Sequence, residues 1–421
     1  MRTYLSFDEA QKEILATTPV LAPERVATRD GLGRVLAEPV LSTRTLPPAD
    51  CSAMDGYAVR AADLAGACRQ TAGELQVVYE VAAGGQAPRP LEAGQAARIF
   101  TGAPVPPGAD AVVIQEDTER EGDRVRIFVE PPARDNIREA GEDLQLGDRV
   151  LEAGHELRAP ELGLLAALGR SAVAVHQAPR VAILSSGDEL VEPDGEIAGG
   201  RIVSSNSYTL AAQCREVGAE PVYLGIARDR PEELAEHLRA GLRAECLVSS
   251  AGVSVGDHDY VRPALEKLGC RLHFWGVAMK PGFPVTFASF DDPDRQGLPL
   301  VFGLPGNPVS ACVTFEQFVR PALRKMMGHR ALFRTALRAR LTHPLDKKAG
   351  RLHFVRVCLE RRGDDVLATS TGNQSSGVLR SLTLAQGLLV FPAEATHLAE
   401  GESAVVQVVD EGFFSQSSRG F

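Results

Sequence analysis

Residues 246–260 read CLVSSAGVSVGDHDY, and the fold is decided there. Cys246–Ser249 is a short apolar run of the β type, followed at once by small residues and carboxylates. A strand that empties into Ser, Gly and Asp before a helix over Arg262–Leu268 is the unit of an α/β sheet. Ligands of such sheets bind at the strand ends. The unit recurs on both sides. Arg180–Leu184 leads into Ser185-Ser186-Gly187-Asp188-Glu189 and a helix over Tyr208–Val217, with Ser205 and Ser207 as possible caps. Val222–Ile226 ends near Asp229, ahead of a helix over Pro231–Leu242 with proline in its first turn. Leu298–Phe302 runs into Gly303-Leu304-Pro305-Gly306-Asn307-Pro308 and a long helix over Pro308–Met327. This alternation predicts a doubly wound parallel sheet.

The strand exits have a chemical reading. Gly252, Gly256 and Gly306 let backbone N–H groups close around phosphate oxygens, and the hydroxyls of Ser249, Ser250 and Ser254 add donors. Asp188, Glu189, Asp229, Asp257 and Asp259 are hard oxygen ligands of the kind that suits Mg²⁺ shared with substrate phosphates. Lys280, within Met279-Lys280-Pro281-Gly282, adds a cation. Together they predict a phosphorylated or nucleotide-like ligand held with a divalent ion. Taken singly, each segment reads as an ordinary turn, Asp229 as a helix cap and His258 as a solvent-facing loop residue. Repetition at four strand ends is what favours a site. No P-loop, Gly-x-Ser-x-Gly or dinucleotide fingerprint occurs.

Outward from the sheet, Phe7–Ala16 reads as helix, and Leu162–Leu168 as a shorter one. Between Ala49 and Gly147 lie short β-type runs at Glu74–Glu80, Ala111–Gln115 and Arg124–Val129, set among Gly and Pro clusters. After Thr335 come five more: Leu337–Leu341, Leu352–Leu359, Asp365–Thr369, Gly387–Phe391 and Ala404–Val409. The chain of 421 residues is therefore expected to divide four ways. Residues 1–47 and 147–178 make a discontinuous helical and extended domain, 48–146 a β-rich insert, 179–327 the α/β domain, and 328–421 a small barrel-like β domain.

Composition narrows the function. Lys and Arg number 45 against 55 Asp and Glu, a net charge of −10, which argues against nucleic acid or an anionic membrane as partner. No apolar run approaches the ~20 residues of a membrane helix, and no secretory signal is visible, so a cytoplasmic protein is expected. The seven cysteines are scattered with no C-x-x-C pair, which suits free thiols.

The segments SAMDGYAV (52–59), TGAPVPPGADAVV (101–113), GED (141–143), SSGDEL (185–190), SAGVSVGDHDY (250–260), MKPG (279–282) and GLPGNPVS (303–310) occur in that order. In this the chain resembles the MoeA family, the molybdopterin molybdenumtransferases, related to the C-terminal domain of gephyrin. The resemblance covers nearly the whole chain. It implies insertion of molybdate into adenylated molybdopterin with Mg²⁺ assistance, releasing AMP and giving molybdenum cofactor. It also implies a four-domain homodimer whose cleft draws on both subunits, in transient contact with other cofactor-synthesis proteins and apo-molybdoenzymes.

By motif, the resemblance assigns catalytic roles to Asp55, Thr101, Asp143, Glu189, Asp229, Asp259 and Lys280, with Glu189, Asp229 and Asp259 as metal ligands. Pro305, Pro308 and Ser310 join the binding set, as do Arg356 in RLHFVR and Ser376 in TGNQSS, expected to face the cleft. Rival readings keep the ligand and change the role: a pterin carrier that inserts no metal, or an enzyme that uses tungstate. A gephyrin-like scaffold has no recognisable segment in its favour. Similar proteins often read K-P-G-K, and some carry a basic residue after the tryptophan, where this chain has Phe283 and Gly276. Lys280 then stands as the segment's sole cation, which predicts weak molybdate affinity, recovered in part by Phe283→Lys.

Overall fold

A computed structural model describes residues 2–251, 261–290, 295 and 297–415. The chain forms two compact units: Met1–Glu38 with Gly154–Leu162 and Ala172–Phe421, and Pro39–Ala153 with Gly163–Ser171. The first holds a seven-stranded sheet in the order Arg2–Leu5, Cys270–Val277, Thr286–Phe290, Leu300–Leu304, Cys246–Ser250, Arg180–Ser186, Glu220–Ala227. The four strands at the last end of that order run parallel, as alternation with helices requires. Apart from Arg180 at one end, the first three of these are buried and read as near-continuous apolar runs.

Three features depart from the sequence expectation. The sheet is mixed: Thr286–Phe290 runs antiparallel to both neighbours. With Cys270–Val277 it forms a hairpin, and the connection between these two strands is the segment that carries Lys280 and Phe283. Arg2–Leu5 adds in parallel at the far edge, with only Leu5 buried. The helix expected at Phe7 spans Phe7–Thr17, started by a Ser6–Glu9 capping box. The helix expected from Tyr208 begins at Ser205, so Ser205 and Ser207 lie inside it and cap nothing.

The C-terminal strands form a closed barrel. Leu352–Arg362, Asp365–Ser370, Ala336–Leu341, Ser403–Val408 and Gly387–Phe391 pair in that order and back to the first. Closure leaves no exposed sheet edge. Met279–Lys280 joins the start of the barrel strand in parallel, Lys280 opposite His353. This short ladder fixes where Lys280 stands.

The second unit is built on a six-stranded sheet in the order Ala111–Ile114, Gly56–Val59, Gln95–Ile99, Gly73–Val81, Arg124–Ile127, Thr118–Glu121. Gly56 has no alternative there, since a Cβ would lie 1.9 Å from the carbonyl oxygen of Val113.

His353 gives a measurable consequence of this packing. It is 6% exposed, and both its ring nitrogens are buried without a hydrogen-bond partner among the described residues. Burial, and then the charges of Lys280, Arg356 and Lys347, hold its pKa down to about 4. The folded protein thus keeps this imidazole neutral where the unfolded chain, titrating near 6.5, takes up a proton. Its stabilising contribution is complete above about pH 6.5 and is lost as pH falls toward 4, by at most about 3 kcal/mol. Urea midpoints should drop over that range, and drop less in His353→Phe. Parallel curves for the two proteins would refute the assignment.

Candidate functional site

The exits of the parallel strands converge on a cleft of about 400 Å³ in the first unit. Glu189 enters it from Arg180–Ser186, Ser250 and Ala251 from Cys246–Ser250, and Pro305, Gly306, Asn307 and Pro308 from Leu300–Leu304. The start of the helix Ser205–Val217 supplies Ser204, Ser205 and Asn206, and the Asn206 amide donates to the Gly306 carbonyl at 2.8 Å. Beneath lies a chain of hydroxyls: Ser204 donates to Ser185 at 3.0 Å, and Ser185 and Ser250 are 3.4 Å apart. Ser249 and Ser186 are buried in their strands, and neither hydroxyl has a hydrogen-bond partner among the described residues.

A second cleft of about 600 Å³ adjoins the first through Pro284 and Asn307. Lys280, Phe283, Ser310, Arg351, Gln374, Ser375 and Ser376 line it. Neither Lys280 nor Arg351 makes an ion pair among the described residues, so two uncompensated cations share a wall with several hydroxyls. That is the composition of an oxyanion site. Arg351 was missed from the sequence, and the second cation it provides removes the reason for expecting weak affinity. Gly276 adopts φ +80°, and a Cβ there would touch the ring of Phe283 at 3.4 Å. This backbone disfavours any side chain, a basic one included.

Arg356 lies elsewhere than its expected place on the cleft wall. It is wholly buried, donating to Ser381 Oγ at 2.8 Å and to the carbonyls of Asn373 and Ser375 at 3.2 Å each. The Gln374 side-chain amide bonds both ways with the Arg356 backbone. Burial lowers the guanidinium pKa to about 10, which leaves it charged at neutral pH. Arg356 therefore sits behind the loop that brings Gln374, Ser375 and Ser376 to the cleft. Val309 N–H, donating to the Ser376 carbonyl at 3.1 Å, ties that loop to the helix bearing Ser310.

The carboxylates divide. Asp229 lies at the neighbouring strand exit, where its N–H donates to Asp188 Oδ1 at 3.2 Å. It does not cap the helix Pro231–Gly241, whose N-cap is Arg230. Among the described residues no three His, Cys, Asp or Glu side chains gather into a metal-binding group. A closed protein cage for a metal is thus not formed by them, while Glu189 alone suits Mg²⁺, which binds through one or two carboxylates plus phosphates and water. Asp259, Gly252, Ser254 and Gly256, like Asp257 and His258, lie outside the described residues.

In the second unit the antiparallel register Gly56↔Ile99 brings Asp55 and Thr101 together. Asp55 Oδ1 accepts the Thr101 N–H and hydroxyl, both at 2.8 Å, and these bonds pull its pKa below the ordinary carboxylate value. Nearby, Arg98 lies 5.1 Å from the ring centroid of Tyr57 and 5.0 Å from that of Phe100. Asp143 is exposed in the same unit, its N–H donating to the Leu46 carbonyl at 3.1 Å.

Three family models match the chain: the MoeA N-terminal region (domain I and II) over residues 5–169, the probable molybdopterin binding domain over 182–325, and the MoeA C-terminal region (domain IV) over 338–409. A molybdopterin molybdenumtransferase of Nostoc sp. is 41% identical over 383 residues, 89% of this chain and 86% of its own. Molybdopterin molybdenumtransferase 1 of Mycobacterium tuberculosis is 36% identical over 98% of this chain and 99% of its own. Among solved structures, the molybdopterin biosynthesis MoeA protein of Pyrococcus horikoshii OT3 superposes with a TM-score of 0.80 at 31% identity, covering 96% of this chain and all of that one.

Proposed function

The chain belongs to the MoeA family, and from that premise we propose that it is the enzyme that inserts molybdate into adenylated molybdopterin, releasing AMP and forming molybdenum cofactor. The observation that carries this reading is the pair of adjoining clefts. One is walled by strand-end amides, hydroxyls and a carboxylate and suits the pterin and its phosphates. The other, with Lys280, Arg351, Ser310 and Ser376, suits a doubly charged oxyanion. The clefts share Pro284 and Asn307, which supports a reading in which the two substrates lie side by side and binding supplies most of the orientation for transfer.

For the residues lining the two clefts, position supports the roles we assign. Lys280 and Arg351 offset the cost of desolvating molybdate, and the Ser310 and Ser376 hydroxyls donate to its oxygens. Ser250 and the backbone around Gly306 hold the phosphate side. Arg356 acts through the loop it braces. Glu189 is the carboxylate we assign to Mg²⁺, with Asp229 from the neighbouring strand exit and, on the motif alone, Asp259; when bound, the ion supplies positive charge to the phosphate oxygens. We assign Asp55, Thr101 and Asp143 to catalysis on the motifs alone, and we propose that the protein works in the cytoplasm as a homodimer.

The test is AMP release from adenylated molybdopterin by the purified protein with Mg²⁺. Release that depends on added molybdate is expected. Tight pterin binding with no molybdate-dependent release would favour the carrier reading.

A further inference from the structure

Arg351 stands exposed at the start of a barrel strand without a carboxylate partner among the described residues, yet it is held. Its guanidinium carbon lies 4.7 Å from the ring centroid of Phe283. That ring is itself fixed. Trp275 meets it nearly edge-on, with centroids 5.4 Å apart and planes at 87°, and Tyr4 packs on it at 5.3 Å. Tyr4 from the sheet edge and Trp275 from the hairpin thus fix the one ring, Phe283, that faces Arg351.

We propose that Phe283 is a positioning residue that holds the Arg351 cation at the oxyanion cleft, an inference that rests on the reading of that cleft as the molybdate site. A carboxylate would restrain the arginine equally well but would cancel its charge. An aromatic face attracts the cation through its quadrupole and leaves the full charge for the anion. It also restrains the long side chain before the anion arrives, so less rotamer freedom is lost on binding. Phe283 is on this view a substitute for a basic residue: it contributes no charge and orders one supplied from elsewhere in the fold.

The experiment is a double-mutant cycle on the full chain, with molybdate alone as titrant in calorimetry. Phe283→Leu, similar in bulk and without a ring, should weaken molybdate binding roughly threefold to tenfold. Phe283→Tyr should bind as the unaltered protein does. In an Arg351→Met background, Phe283→Leu should add no further loss. Phe283→Lys should weaken binding, because it removes the ring and sets a like charge beside Arg351. Unchanged affinity in Phe283→Leu, an equal loss with Arg351 absent, or a gain in Phe283→Lys would each overturn the proposal. If the unaltered protein binds no molybdate, the reading of the cleft fails and this inference with it. If it binds and the cycle shows no coupling, the cleft stands and only the role of Phe283 is lost.

Discussion

Lys280→Ala should raise the molybdate concentration for half-maximal AMP release by tens to about a hundredfold while the protein melts as before. The magnitude follows from removing a charged donor from an anion, about 1.5–3 kcal/mol when nothing replaces it. Arg351 remains, so the site keeps one cation and is weakened without being abolished. Stability should hold because Lys280 is exposed, and substitutions at such surface positions usually stay within about 0.5 kcal/mol. Saturation curves in molybdate with parallel thermal melts check both halves. An unchanged half-saturation would remove Lys280 from the site.

Arg356→Met should do the opposite, costing stability on the order of 2–4 kcal/mol. Methionine fills much of the volume but leaves the Ser381 hydroxyl and the Asn373 and Ser375 carbonyls without their buried donor. Relief from burying a cation offsets part of that loss, which keeps the figure below the sum of three broken bonds. With the loop released, Gln374 and Ser376 lose their placement, so activity should fall too, at temperatures where the variant is still folded. Urea unfolding gives the stability change directly. A variant as stable as the parent protein but unable to bind molybdate would mean that Arg356 touches the anion after all.

What could be read from the sequence and what could not have different physical origins. Three of the four parallel strands announced themselves because strands buried on both faces are runs of apolar residues, as VAIL in 181–184 and LVF in 300–302 are, while Glu220–Ala227 lies at the sheet edge and is only partly buried. Their exits could then be assigned to one cleft by topology alone, and Glu189, Ser250 and Pro305–Pro308 do meet there. Arg2–Leu5 carries no such signal, having one buried residue. Thr286–Phe290 belongs to the sheet through a hairpin whose connection is filled with the Pro-Gly segment, which reads locally as a turn. The two arginines of RLHFVR show the limit most clearly. Arg351 stands just before the strand Leu352–Arg362 and is exposed, Arg356 lies inside that strand and is buried, and only one of the two lines the cleft. Which one depends on where Lys280 and the hairpin dock, and that is a contact between distant parts of the chain. The partnership of Phe283 with Arg351 is hidden for the same reason: the sequence shows a lysine missing, and only the fold shows the arginine beside the gap.

The central claim is that the cleft between the hairpin connection and the barrel holds the oxyanion. Anomalous scattering from crystals soaked in tungstate, an ion of nearly the same size as molybdate, tests it most directly. One strong peak is expected within hydrogen-bonding reach of Lys280, Arg351 and Ser310, and it should be lost in Lys280→Ala crystals. A peak at the strand-exit cleft alone, or no peak beside Lys280 at saturating tungstate, would contradict it.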